Sequence, residues 1–313
     1  MAVYFLNIKS FGRANGSSAA SAAAYRAGER IRDARTGRTY DHSERGDVMN
    51  KEIVLPSKFA DADMGWARDR SQLWNAAEAA ESRKNARVAR EYLVALPFEL
   101  NPEQRLGLVR EFSKELVNRY QFAVDFAIHA PRTAPDSDPR NFHAHLLATT
   151  REVTINGLGA KTTLELNDSN RNKLGLQPSV HEIFHTRQRW ANVTNEALRA
   201  AHVRARVDHR SLEAQGIDRE PQPRFPRAAI EMERLGYRSF AAENLRAQYQ
   251  SRVDAREHRA QAQAAPSAKP HRLEEIRRQA RENWLKMRQQ SNEPPAARDR
   301  TRGDHTHDDD HSL

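Results

Sequence analysis

The chain has 313 residues, 38% apolar and 30% charged, with 51 Lys and Arg against 42 Asp and Glu, for a net charge of +9. That length allows one large domain or two ordinary ones, and the low apolar fraction reads as a folded domain diluted by a polar tail. The excess of positive charge predicts a polyanionic partner, nucleic acid first. Cysteine is absent, which excludes a disulfide scaffold, a thiol nucleophile and any cysteine-ligated metal site. No run approaches the roughly 20 apolar residues of a membrane span. The first residues lack the basic stretch of a signal peptide, so a cytoplasmic location is expected.

Ala2 to Lys9 alternates and is rich in Val, Tyr, Phe and Ile, which predicts a strand. Ser17 to Gly28 is alanine-rich with serines able to cap, which predicts a helix. Residues 1–40 carry seven basic side chains (Lys9, Arg13, Arg26, Arg30, Arg32, Arg35, Arg38) against Glu29 and Asp33, so positive charge is densest around Tyr25. Trp66 to Lys84 predicts one amphipathic helix, with Trp66, Leu73, Trp74 and Ala77 on one side. Glu91 to Pro97 is a short buried strand. Asn101 and Pro102 then open a helix that runs to about Tyr120.

Phe122 to His129 alternates strictly: Phe122, Val124, Phe126 and Ile128 share one face, and Ala123, Asp125, Ala127 and His129 the other. Three prolines make 131–140 a loop, Phe142 to Val153 reads as a further strand, and Pro178 to about His202 as a helix. Two consecutive strands joined by a loop predict an antiparallel pair. The element order argues for an α+β fold, a central and mainly antiparallel sheet with helices packed on one side. Beyond Arg204 the signals weaken. Prolines keep 218–227 extended, and Leu273, Ile276, Ala280, Trp284 and Met287 can form one helix face. The polar end from Glu293, including the His- and Asp-rich Asp304 to His311, is expected to be disordered.

His143 and His145 lie two apart in a strand, so both imidazoles share a face. If the strands on either side of 131–140 pair, His129 falls beside them. Three neutral imidazoles converging from rigid strands make a metal site with open positions for substrate. A tyrosine hydroxyl in the basic segment could then attack a phosphodiester whose charge the metal offsets.

These residues resemble the MobA/MobL (MobQ-type) plasmid mobilisation relaxases of the HUH endonuclease superfamily. The resemblance rests on Ser21–Gly28, Arg90–Pro97, Asp125–His129, Asn141–His145 and Gln215–Pro221, in the expected order across about residues 1–236. It implies that Tyr25 is the nucleophile and that His129, His143 and His145 hold Mg²⁺ or Mn²⁺. It implies that Glu91 serves the site, either as proton acceptor or as support for a histidine. The partners it implies are single-stranded origin-of-transfer DNA, relaxosome accessory proteins and a type IV secretion coupling protein. The expected divisions are a nicking domain over 1–236, a helical extension over 237–292 and a tail over 293–313. One departure is Phe142, where the family usually has proline. Members often carry a helicase or primase after the relaxase, which a chain ending at Leu313 is expected to lack.

A competing pattern is His181-Glu182-Ile183-Phe184-His185, the spacing of zinc peptidases. It lacks a suitable third ligand downstream. The blander expectation is an ordinary helix with Ile183, Phe184 and Trp190 toward the core. A non-catalytic DNA-binding accessory protein with structural histidines is the other alternative.

Overall fold

The computed structural model describes residues 2–133, 137–264 and 269–290. The chain divides after Ile217 into two compact units. In the first, the elements run β1 (Leu6–Gly12), α1 (Ala19–Ala27), β2 (Arg30–Arg32), β3 (Thr39–Asp41), β4 (Val48–Val54), α2 (Gly65–Arg68), α3 (Arg70–Ala79) and β5 (Arg87–Ala95). They continue with α4 (Pro102–Tyr120), β6 (Val124–His129), β7 (His143–Thr149), β8 (Arg151–Thr154), β9 (Gly157–Lys161), α5 (Asp168–Lys173) and α6 (Ser179–Ala200). Five strands form one antiparallel sheet in the order β1-β5-β7-β6-β4, while β2-β3 and β8-β9 are separate hairpins. The α+β class with a central antiparallel sheet is therefore what the chain forms.

Alternation along β6 decides what each face carries. Val124, Phe126 and Ile128 join Tyr92, Val94 and Leu146 in a core closed by Phe112 and Leu116 of α4 and by Trp190 and Leu198 of α6. The opposite face, with Ala89, Ala123 and Leu147, is covered by α1 and by Leu73 and Trp74 of α3. Helices thus pack on both faces rather than one. The second layer was hidden in the sequence because α1 buries alanines (Ala19, Ala20, Ala22, Ala23, Ala24, Ala27) and has no large apolar stripe. Small side chains let its backbone approach the sheet closely. Truncating the buried Trp74 on this face to alanine would cost about 3–5 kcal/mol.

Two expected elements are revised by local chemistry, and one stretch without an expectation adds strands. The helix expected over 66–84 breaks at Asp69, whose extended backbone lets its carboxylate cap α3 by accepting from the Gln72 amide at 2.8 Å. The strand expected over 142–153 stops at Thr149, where the hydroxyl donates to the Arg151 carbonyl at 2.8 Å and the chain turns into the β8-β9 hairpin. Residues 30–54, which carried no expectation, contribute a hairpin and the edge strand β4, paired to β6 from Val48↔His129 to Val54↔Val124. The α4 start agrees with the sequence reading: Asn101 and Gln104 form a reciprocal capping box with Pro102 in the first turn.

The second unit holds α7 (Arg227–Arg234), α8 (Phe240–Ala264) and α9 (Lys269–Gln290). Residues 218–226 have no regular structure, as their prolines require. Within this unit Arg246 pairs with Glu233 and Arg252 with Glu220, each at 2.6 Å. Ile276, Trp284 and Met287 of α9 are exposed. The tail from Glu293, with Asp304 to His311, lies outside the described residues. Among the described residues no helix is long and apolar enough to cross a membrane.

Candidate active site

The site forms where β6 and β7 run side by side. Their register sets His129 opposite His143 and Ala127 opposite His145, so a period-two strand places all three imidazoles on the α1-covered face. Ring centroids are 5.3 Å apart for His129–His143, 4.9 Å for His129–His145 and 5.3 Å for His143–His145. One ligand atom from each lies within 4.8 Å of the others.

Hydrogen bonds set the roles of the ring nitrogens. His143 Nδ1–H donates to the Asn141 carbonyl at 3.1 Å, and His145 Nδ1–H donates to Glu91 Oε1 at 2.8 Å. Each therefore turns an Nε2 lone pair outward. His129 is engaged at both nitrogens: Nε2 is 2.8 Å from the Arg26 carbonyl, and Nδ1 is 3.1 Å from the Arg45 guanidinium and 3.3 Å from Asp47. Burial, with the charges of the neighbouring histidines and Arg45, lowers the His129 pKa from 6.5 to about 4. Burial also lowers that of His143. Both rings are thus neutral at neutral pH, the form in which imidazole binds metal. His143 and His145 each offer a free Nε2 lone pair that suits a divalent ion, and His129 would complete the donor set by giving up its Arg45 or Arg26 contact.

Glu91 sits on β5 opposite Leu147 of β7 and is fully buried. Its Oε1 accepts from His145 and from Arg26 Nε. Lys9 Nζ lies 2.8 Å from Oε2, near enough for an ion pair but without the geometry of a hydrogen bond. Burial alone would raise this carboxyl's pKa. The His145 hydrogen bond and the Arg26 charge outweigh it and hold the group well below the usual carboxylate range. A carboxylate so committed orients His145; no hydrogen bond joins it to Tyr25.

Tyr25 projects from α1, whose neighbouring residues are buried, and is itself 41% exposed. Ser18 caps the helix by accepting from the Ser21 amide, and Gly28 ends it in the left-handed region at φ 59°. A side chain at Gly28 would also meet Val48 Cγ2 at 3.1 Å, so glycine is needed there twice over. The residue after the tyrosine ties the helix to the histidine cluster and its support: the Arg26 carbonyl meets His129, and its guanidinium meets Glu91.

Sequence reasoning missed Arg45 and Asp47. The Arg45 guanidinium stacks 4.2 Å from the Tyr25 ring centroid, donates to the Tyr25 carbonyl at 2.7 Å and is bidentate to Asp47 at 2.9 and 2.5 Å. That arginine hydrogen bond is the main cause lowering the Asp47 pKa to about 2. Asp125 was also missed. It is buried on the same face and held by Arg70 through two 2.8 Å bonds and by Trp74 Nε1 at 2.9 Å. Phe142, the departure from the family pattern, lies under the Arg105 guanidinium at 3.6 Å and leaves His143 in register.

The basic segment is less open than its composition suggests. Arg13 and Arg35 pair with Glu78, and Lys9 and Arg26 with Glu91. Arg30, Arg32 and Arg38 remain exposed.

The His181/His185 pattern builds no site. Glu182 is committed to the Tyr120 hydroxyl at 2.7 Å and to Arg119 and Arg171. Among the described residues the triad is the group of side chains placed so that it could hold a metal ion, and neither His181 nor His185 belongs to it. Trp190 faces the core as expected, but Phe184 is exposed and Thr186 takes its place inside.

The architecture is a three-histidine cradle on an antiparallel sheet, with a tyrosine-bearing helix fastened to it. The chain belongs to the MobA/MobL family, whose model matches residues 17–235. It is 36% identical over 253 residues to the mobilization protein MobL of Acidithiobacillus ferridurans, covering 75% of this chain and 64% of that protein. It is 31% identical over 267 residues to a probable mobilization protein MobA of Bifidobacterium longum, covering 75% of this chain and 45% of that one. A solved structure described as the molecular basis of vancomycin resistance transfer in Staphylococcus aureus superposes with a TM-score of 0.53 at 31% identity, covering 67% of this chain and all of that one. The chain thus spans about two thirds or less of the length of these two mobilization proteins.

Proposed function

We propose that this protein is a relaxase that nicks one strand of plasmid DNA at an origin of transfer through Tyr25. The observation that carries the reading is the Arg26 carbonyl's 2.8 Å contact with His129, which fastens the tyrosine's helix to the three-histidine cradle. Membership of a mobilization family supports it. His129, His143 and His145 would hold a divalent ion, which when bound offsets the negative charge of the scissile phosphate. Neutral imidazoles suit Mn²⁺ better than Mg²⁺, which prefers oxygen.

The remaining work falls to the chain itself. The Tyr25 oxygen attacks phosphorus in line and gives its proton to solvent water, from a half-exposed side chain whose ring is stacked on the Arg45 cation. A Tyr25 O–P bond forms, the P–O3′ bond breaks, and the 3′ oxygen takes up a proton. The products are a 5′-phosphotyrosyl link and a free 3′-hydroxyl. One phosphodiester replaces another, so the reverse reaction reseals the strand. Glu91 is a positioning residue that acts through His145. The nicking unit is assigned to residues 1–236, in the cytoplasm of a bacterium, with relaxosome accessory proteins and a type IV secretion coupling protein as transfer partners.

The test is incubation of the protein with its plasmid and Mn²⁺ or Mg²⁺, followed by denaturing electrophoresis. A covalent protein–DNA adduct that Tyr25→Phe abolishes while DNA binding persists supports the reading. Binding without cutting by the wild type would identify an accessory protein instead.

A further inference from the structure

The face that carries the histidines is covered by α1 and α3 at one end and bare at the other. Past His143, toward the β1 edge, it continues as a cavity of about 650 Å³. Val3, Phe5, Leu93, Ala95 and Phe98 line it, and His143 belongs to both the cavity and the metal cradle. Strand register explains the shared residue, because Ala95 of β5 lies opposite His143.

This lining differs from a core. Phe5 is 36% exposed and Phe98 39% exposed, so two aromatic rings stand open to solvent at an apolar floor. The rim is stiff: Arg105 donates to the Pro97 and Phe98 carbonyls, each at 3.2 Å, and its guanidinium lies 3.6 Å from the Phe142 ring. Asn141 also lines the cavity. Among the described residues only its backbone is hydrogen-bonded, and its side-chain amide has the donor and acceptor to meet a polar base edge.

We propose that this cavity is a nucleobase site, which takes unpaired bases next to the scissile phosphate by stacking them on Phe5 and Phe98. The inference rests on the relaxase reading and adds where the substrate's bases go. Continuity fixes the occupant. A phosphate held at the cradle has its neighbouring nucleotide beside His143, where the lining is mainly apolar and aromatic and its two charged members, Asp138 and Arg140, pair with each other at 2.9 Å. Exposed aromatics next to a phosphate-binding site are how single strands are gripped independently of sequence. A paired base is already stacked and cannot enter, so the cavity selects for unwound DNA.

The test uses the full chain and two fluorescent probes of equal length and charge, a short oligodeoxythymidylate and the same backbone made abasic. The wild type should bind the thymidylate about tenfold more tightly than the abasic strand. Phe5→Ala with Phe98→Ala should bring that ratio close to one and leave abasic affinity unchanged, which also shows that the variant is folded. Phe5→Tyr with Phe98→Tyr should keep the ratio, since tyrosine stacks equally well. A 4-thiothymidine strand should photocrosslink to the Phe5 or Phe98 peptides. A wild type without base preference, an alanine variant that retains it, or crosslinks only elsewhere overturns the proposal. If neither probe binds, the DNA reading itself falls, an outcome distinct from loss of base preference alone.

Discussion

Arg45 lies against the face of the Tyr25 ring, its guanidinium 4.2 Å from the ring centroid, while the same group reaches His129 Nδ1 at 3.1 Å. One cation therefore sits between the proposed nucleophile and a proposed metal ligand. Its planar fork stacks and bonds at once, which lysine cannot copy. Arg45→Lys should slow nicking by about tenfold, equivalent to about 1.4 kcal/mol of barrier. Mn²⁺ affinity should hold or rise, because a charge that repels the ion becomes more mobile. Single-turnover nicking and calorimetric Mn²⁺ titration check the two halves. Nicking at the wild-type rate would remove Arg45 from the chemistry.

Glu91 and the histidines separate by what each substitution removes. His143→Ala or His145→Ala deletes a proposed ligand and should abolish measurable Mn²⁺ binding and nicking together. Glu91→Gln keeps the shape but loses the charge that orients His145, and should weaken Mn²⁺ binding about 10- to 100-fold. It also leaves the largely buried Arg26 without its carboxylate, at a cost of about 3 kcal/mol. His181→Ala with His185→Ala should change neither binding nor nicking. Mn²⁺ affinities across the series, with urea melts of each variant, decide. Metal binding lost with the 181/185 pair would return the peptidase alternative.

The triad was legible because its signal is local: a period of two fixes His143 and His145, and the proline-rich loop before them returns the chain so that His129 lies on the neighbouring strand. The proposal for Tyr25 comes from the family motif, since nothing in a lone tyrosine distinguishes packing from catalysis. Arg45 and Asp47 were not legible. They lie before a strand, Val48–Val54, whose mixed apolar and polar residues show neither period clearly, because it is an edge strand beside the site. The buried pairings of Arg13, Arg26 and Arg35 were hidden for another reason. Their partners Glu78 and Glu91 are 43 to 65 residues away, beyond any pattern that sequence spacing can show.

Acid should unload the cradle and loosen the fold in two separable steps. His129 has its pKa lowered from 6.5 to about 4 in the folded chain, so protons bind the unfolded chain more readily. Its contribution is complete above about pH 6.5 and fades as pH falls toward 4. Asp47, lowered from 3.8 to about 2, contributes above about pH 4 and loses that contribution only below it. Metal-free urea midpoints should fall between pH 6.5 and 4, and Mn²⁺ affinity should fall over the same range as protons compete for the ring. His129→Asn should shrink the upper step to the part that the buried His143 contributes, and leave the lower one. An unchanged upper step in that variant would show that another group titrates there.

Salt dependence measures how many basic side chains near Tyr25 meet phosphate. Counted from sequence, the seven basic residues imply four to six contacts and a slope of log affinity against log salt of about −3 to −4 for a single strand. The structure lowers that expectation, because Lys9, Arg13, Arg26 and Arg35 are paired with Glu78 or Glu91. Arg30 has one loose ion pair with Asp41 at 3.7 Å, and Arg32 and Arg38 are exposed with no carboxylate within 4 Å among the described residues. Three available cations at about 0.7 each give this segment a slope near −2. Changing Arg30, Arg32 and Arg38 together to alanine should therefore reduce the magnitude of the measured slope by about 2. Arg13→Ala, which breaks an internal pair instead, should lower stability and leave the slope alone. Anisotropy titrations of a single-stranded oligonucleotide over a salt series read both. A slope unmoved by the triple change would place the phosphate contacts elsewhere on the sheet face.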